Sequence, residues 1–159
     1  MQVLLLGLGN LVMSDDALGS RTVMELEKRY RFPRQVQLVD GGTLGLDLLP
    51  RLEGVDALLV VDALQMGADP GQVFRLQGEE VPRAFANKLS VHQMGLQDLL
   101  AVAELQGHLP QHLVVWGAQS ASIEMGMEMS PAMNSAMEGV ISGVVQELQD
   151  WGINLMESQ

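Results

Sequence analysis

Val3-Leu4-Leu5-Leu6-Gly7-Leu8-Gly9-Asn10 begins with a wholly apolar run, Val3–Leu6, that stops at Gly7. A run this short, with no polar alternation, is what a strand buried on both faces of a parallel sheet requires. Ala57–Val61, ending at Asp62, and Leu113–Trp116, ending at Gly117, have the same form. Val36–Val39, before Asp40-Gly41-Gly42, is a fourth candidate strand. Val73–Leu76 follows the turn signal Asp69-Pro70-Gly71 and is a fifth, suited to a sheet edge.

Between these runs the apolar period changes from two to about 3.6, which is the sequence form of βαβ crossover units. Ser14 is placed to cap a helix whose first turn holds Asp15 and Asp16, with Leu18, Thr22, Leu26 and Tyr30 along one side. Leu96, Leu99, Leu100 and Ala103 mark a second helix, over roughly residues 92–106. The last helix is the clearest. Ser130-Pro131 supplies an N-cap followed by proline at the first helical position, and Met133, Met137, Val140, Ile141, Val144, Leu148 and Trp151 form one apolar stripe. A further helix is expected around Thr43–Leu52, ended or kinked near Leu49 by Pro50. The fold class that follows is α/β: three layers, with a mostly parallel sheet of about five strands and helices on both faces. Residues 1–159 are expected to form one domain, with ligands at the carboxyl ends of the strands.

At 159 residues, 47% hydrophobic and 18% charged, the chain has the composition of a globular protein with a real core. It has no cysteine, which excludes disulfides, thiolate metal sites and cysteine nucleophiles and fits a reducing compartment. The net charge of −11 argues against binding nucleic acid or an anionic membrane. Charge is also unevenly distributed. Residues 1–88 hold nine basic and twelve acidic side chains, whereas residues 89–159 hold eight acids and neither lysine nor arginine. That asymmetry suits a cationic partner, or simply a solvated acidic surface. The opening MQVLLLGLGN lacks a basic n-region and a cleavage pattern, and no stretch is long enough to span a membrane, so a cytoplasmic location is expected.

Gly7-Leu8-Gly9 after the first strand invites a dinucleotide reading, but Val12 stands where the third glycine belongs. Asp15 and Asp16 would also oppose a pyrophosphate at the helix start. No Gly-x-Ser-x-Gly or His-Glu-x-x-His pattern occurs. His108 and His112 have helical ligand spacing, yet Gly107 and Pro110 make them loop residues leading into a strand. What remains is Asp15/Asp16 after the first strand, Asp62 at the end of the strand Ala57–Val61, and His92 at the start of a helix. All lie at strand ends or helix starts, so the topology can bring them to one sheet edge. Two carboxylates and an imidazole suit a divalent metal of borderline hardness such as Ni²⁺ or Zn²⁺. The same residues are also ordinary caps and a structural histidine.

The block Gly7-Leu8-Gly9-Asn10-Leu11-Val12-Met13-Ser14-Asp15-Asp16-Ala17-Leu18-Gly19 resembles the opening signature of the hydrogenase maturation endopeptidases, which process the large subunit of nickel-iron hydrogenases. The resemblance continues through Asp40-Gly41-Gly42-Thr43, Val60-Val61-Asp62-Ala63, Lys88-Leu89-Ser90-Val91-His92-Gln93 and Ser130-Pro131, in order over nearly the whole chain. It implies that Asp16, Asp62 and His92 are the metal-sensing and catalytic residues. Asp16 stands where some members have glutamate, Val91 where proline is common and Val12 where leucine is usual. None of these departures removes a ligand.

The activity implied is an endopeptidase, often classed as aspartic-type, that removes a C-terminal extension from the hydrogenase large-subunit precursor once nickel has been inserted. Nickel would come with the substrate, and other divalent cations could occupy the same site. Without a cysteine of its own, the chain leaves all sulfur ligands to the partner unless methionine serves. With no activated Ser, Cys or Thr apparent, direct attack by water is favoured, the metal polarising the carbonyl or water, or Asp16 or Asp62 acting as base. Asp15 is assigned as a cap or support, and Asp40 as a turn-closing residue or a substrate contact. Met125-Gly126-Met127-Glu128-Met129 is either a docking loop or a structural one. The alternative function is a non-enzymatic nickel-binding maturation chaperone, against which stands the absence of a histidine-rich tract.

Overall fold

The computed structural model describes residues 1–42, 46–85, 91–122 and 124–159, with only the backbone course for residues 83–85 and 91–95. Its centre is a five-stranded sheet ordered β3-β1-β4-β6-β5, built from β1 (Val3–Leu8), β3 (Val36–Gly42), β4 (Ala57–Leu64), β5 (Val73–Gln77) and β6 (His112–Gln119). β3, β1, β4 and β6 run parallel, while β5 lies antiparallel to β6 at the edge. This is the mostly parallel sheet that the apolar runs predict. Every residue of β1 and β4 is buried, because helices cover both faces.

The strands' period of two divides the core into two layers. Val3, Leu5, Leu59, Val61 and Ala63 face α1 (Leu18–Arg29) and α4 (Pro131–Asp150), packing on Leu18, Leu26, Val140, Ile141, Val144 and Leu148. Leu4, Leu6, Leu58, Val60 and Leu64 face the opposite side, against Leu96, Leu99, Leu100 and Ala103 of α3 (Val91–Leu105) and Leu48 and Leu52 of a 3-10 segment, Leu46–Leu52. Each fully buried leucine contributes about 1.5–3 kcal/mol. The Ser130 cap is present: its hydroxyl accepts the Met133 amide at 3.3 Å, with Pro131 opening α4.

Several expectations are corrected. Asp62 does not follow its strand but lies inside it. Pairing of β4 with β6 continues through Asp62–Gly117, Ala63–Ala118 and Leu64–Gln119, since Gly117 has no Cβ to meet the Asp62 carbonyl at 2.2 Å. Ser14 does not cap an α-helix. A 3-10 turn, Ser14–Ala17, precedes α1, and Ser14 takes a left-handed φ of 52° while its hydroxyl donates to Glu124 O at 2.6 Å. The expected helix at Thr43–Leu52 is 3-10 over Leu46–Leu52, with Pro50 inside it; Thr43 to Gly45 lie outside the described residues. α2 (Glu80–Phe85) was not anticipated, nor was a two-stranded antiparallel sheet joining β2 (Tyr30–Arg31) to β7 (Met156–Glu157). No described helix is long and apolar enough to cross a membrane.

Candidate active site at the carboxyl edge of the sheet

From β1 the chain crosses to β3 on one side, and from β4 it continues toward β5 and β6 on the other. The gap beyond the carboxyl ends of β1 and β4 is therefore the switch point of the sheet, where open α/β folds bind ligands. Asp16 follows β1 and is nearly buried; Asp62 lies near the end of β4 and is wholly buried.

Two glycines bring the carboxylate-bearing segments together. A Cβ on Gly19 would lie 2.0 Å from Leu8 O and 2.2 Å from Val61 O, so the first turn of α1 rests directly on the ends of β1 and β4. Asp16 precedes that contact by one helical turn, and Asp62 follows Val61. Gly9 has φ 142°, open to glycine, and a Cβ there would meet Asp16 O at 2.0 Å. A Cβ on Gly7 would likewise meet Gly19 O at 2.4 Å, so Gly7 and Gly9, the glycines that invite a nucleotide reading, serve to seat the acid-bearing turn on the sheet.

Strand alternation places Asp62 on the same face of β4 as Leu58, Val60 and Leu64, which is the face covered by α3. The first turn of α3 contains His92. The His92 side chain lies outside the described residues. Among the described side chains no three His, Asp or Glu form a metal-binding group. His108 follows α3 in a turn, and His112 opens β6 with its ring 6.0 Å from that of Trp151, at the amino end of the strand and away from Asp62.

A hydrogenase maturation protease model matches residues 20–147. The chain belongs to the hydrogenase maturation protease family. It is 38% identical over 97% of its length to the hydrogenase expression/formation protein HupD of Bradyrhizobium diazoefficiens, covering 81% of that protein. It is 41% identical to the hydrogenase 2 maturation protease of Escherichia coli over 78% of this chain and 76% of that one. In structure it resembles the hydrogenase maturating endopeptidase HybD from E. coli, with a TM-score of 0.95 and 35% identity, over 99% of this chain and 98% of that one. The protein is accordingly a peptidase with the three-layer α/β fold of its family.

Around the two acids this maturation protease carries a polar framework that the sequence motifs left undefined. The Asp15 carboxylate is fully buried and accepts four hydrogen bonds: Ala121 N at 2.7 Å, Ser122 N at 3.2 Å, Ser130 N at 2.6 Å and Ser130 Oγ at 2.9 Å. It clasps the β6–α4 connection to the turn that carries Asp16. The Ser130 hydroxyl gives its proton to Asp15 and takes the Met133 amide, so the cap of α4 and the clasp share one atom. Asp15 is thus a support, as its position suggested, with both oxygens committed away from Asp16.

Asp40, exposed at the end of β3, accepts Ser20 Oγ at 2.7 Å and Gly42 N at 3.1 Å. Its turn-closing role is therefore present, and in register it stands beside Gly7 at the same sheet edge. Gln119 was missed by the sequence reading. It is buried, accepts Met66 N at 2.6 Å and Ala68 N at 3.3 Å, and donates to Gln65 Oε1 at 3.1 Å, which shapes the segment leaving β4 after Asp62. Gln65 also donates to the Ser120 hydroxyl. A polar residue at the end of an apolar strand is the signal that could have found it.

Proposed function

We propose that this peptidase makes a single cut near the C-terminus of a nickel-iron hydrogenase large-subunit precursor, and does so only after nickel has entered that subunit. The observation that carries the reading is the pair of buried carboxylate residues, Asp16 and Asp62, at the sheet's switch point, with Asp62 on the strand face covered by the helix whose first turn holds His92. Two oxygen donors and one nitrogen fit a borderline divalent cation, and a set with no sulfur suits nickel that arrives on the thiolates of its carrier. Asp16, Asp62 and His92 would complete the coordination of that substrate-borne nickel. Docking would then depend on a contact that the nickel-free precursor cannot make, so insertion licenses cleavage.

Hydrolysis proceeds by direct attack of water, since the chain has no cysteine and the motifs reveal no activated serine or threonine. Nickel at this position would supply Lewis acidity toward the scissile carbonyl or the attacking water. A carboxylate oxygen of Asp16 or Asp62 that the cation leaves free would take the water's proton. Asp15 has no part in proton transfer, because four donors already fill its oxygens. The test is incubation of the protein with nickel-loaded and nickel-free precursor. Shortening of the loaded form alone is expected, and no shortening of either form would refute the proposal.

A further inference from the structure

Two loops beside the Asp15–Asp16 turn hold apolar side chains out into solvent. Leu11 and Val12, after β1, are 37% and 43% exposed; Met125 and Met127, before α4, are 84% and 66% exposed. The loops are adjacent because their backbones pair. Gly126 N donates to Val12 O at 2.8 Å, and Ser14 N donates to Gly126 O at 2.9 Å, which makes a parallel bridge between Met13 and Gly126. Ser14 Oγ on Glu124 O, Arg21 Nη2 on Met127 O at 2.6 Å and the Asp15 clasp fasten the same loop. Met129 points into the core, so packing explains that methionine and not the other two.

Single exposed apolar residues are ordinary, but four on two tethered loops make a patch on a fixed backbone. Methionine adds an adaptable, polarizable surface suited to peptide contact. The charge around the patch is acidic. Exposed Glu124 and Glu128 bracket Met125 and Met127, and from residue 89 onward the chain has no lysine or arginine. Arg21, a cation on the other side of this loop, is tied to the Met127 carbonyl and keeps its charge, so Glu124 and Glu128 leave these three groups net negative by one.

We propose that this two-loop patch docks a segment of the hydrogenase large-subunit precursor that presents an apolar side chain flanked by lysine or arginine. The identity of the occupant rests on the function proposed above; its chemistry rests on the apolar surface and acidic rim.

Fluorescence anisotropy with short labelled synthetic peptides tests it: one apolar and basic, one apolar and acidic, one basic without apolar residues. The apolar-basic peptide should bind the full chain best. A Met125→Ser/Met127→Ser variant should weaken it about tenfold. Glu124→Gln/Glu128→Gln should weaken it about threefold and flatten its salt dependence. On nickel-loaded precursor the methionine variant should raise KM about tenfold while kcat stays within about twofold. Equal binding of the acidic peptide, or binding unchanged in both double variants, would overturn the proposal. So would a dimer in sedimentation that the methionine variant abolishes, because the patch would then belong to a second copy. Precursor cut with unchanged KM by the methionine variant would refute the docking surface and leave the proposed function intact. Peptide binding of the expected pattern with no cleavage of any precursor would refute that function and leave the surface standing.

Discussion

Asp15 and Asp16 are neighbours with opposite duties, and direction separates them. Asp15 turns its carboxylate into the β6–α4 connection, where three amides and a hydroxyl fill it. Replacing it with asparagine puts an NH₂ among those donors. The expected cost is about 3 kcal/mol in urea denaturation, with the loop that bears Met125 and Met127 losing protection from hydrogen exchange. A change under about 0.5 kcal/mol would show that the clasp is dispensable. Asp16 and Asp62 should behave differently. Asp16→Asn and Asp62→Asn, like His92→Ala, should retain the fold and lose processing by about two orders of magnitude or more. Asp16 and Asp62 were legible as candidates from their own stretches of sequence, but the partners of Asp15 are distant along the chain. Ala121 lies 106 residues away and Ser130 lies 115 residues away, and no local pattern encodes such pairings. The left-handed Ser14 is a similar case. Its local sequence reads as a cap, whereas its conformation comes from the tether to Glu124 and Gly126.

At the scale of elements, α1 is placed by Gly19, and α4 by a polar pin on its inner face. Gly19→Ala drives a methyl into two strand carbonyls, which neither strand can yield without losing pairing. The expected loss is about 3 kcal/mol, with activity falling alongside because the turn that holds Asp16 moves with the helix. The pin on α4 is Glu147, a buried acid. It receives Arg75 Nε at 2.7 Å, Arg75 Nη2 at 3.0 Å and Trp116 Nε1 at 2.9 Å. Burial pushes this carboxyl up, but the hydrogen bonds from Arg75 and Trp116, with the arginine's charge, outweigh it and hold it below the ordinary value of 4.5. A group whose folded value is depressed stabilises above the unfolded value and ceases to do so as pH falls through the folded one. Glu147→Gln should therefore lie on the order of 2 kcal/mol below wild type at neutral pH, with the gap closing below about pH 4. A gap constant from neutral pH down to the acid limit would contradict this origin.

The elements themselves were legible in proportion to how local their causes are. Apolar runs located all five strands of the main sheet, and Ser130-Pro131 located α4 through its own cap chemistry. Strand ends were less accessible. β4 runs on to Leu64 because β6, about fifty residues later in the chain, continues to pair with it through a glycine. The β2–β7 pair joins residues near 30 to the C-terminal tail, a contact that has no periodic signature in either short strand.

For the whole molecule, topology gathers the chemistry. The strand order β3-β1-β4-β6-β5 opens its switch point between β1 and β4, and the two acids proposed for the site lie there, Asp16 after β1 and Asp62 inside β4 two residues before its end. The net charge of −11, with every basic side chain in the first 88 residues, favours a basic over an acidic substrate segment in long-range attraction. In the function proposed above, substrate-borne nickel, met by Asp16, Asp62 and His92, licenses peptide cleavage. The direct measurement follows precursor mass over time for nickel-loaded and nickel-free large subunit, with wild type and with Asp16→Asn, Asp62→Asn and His92→Ala. Wild type is predicted to shorten the loaded precursor only, and each variant to shorten neither. Equal shortening of nickel-free precursor, or normal cleavage by all three variants, would contradict the claim.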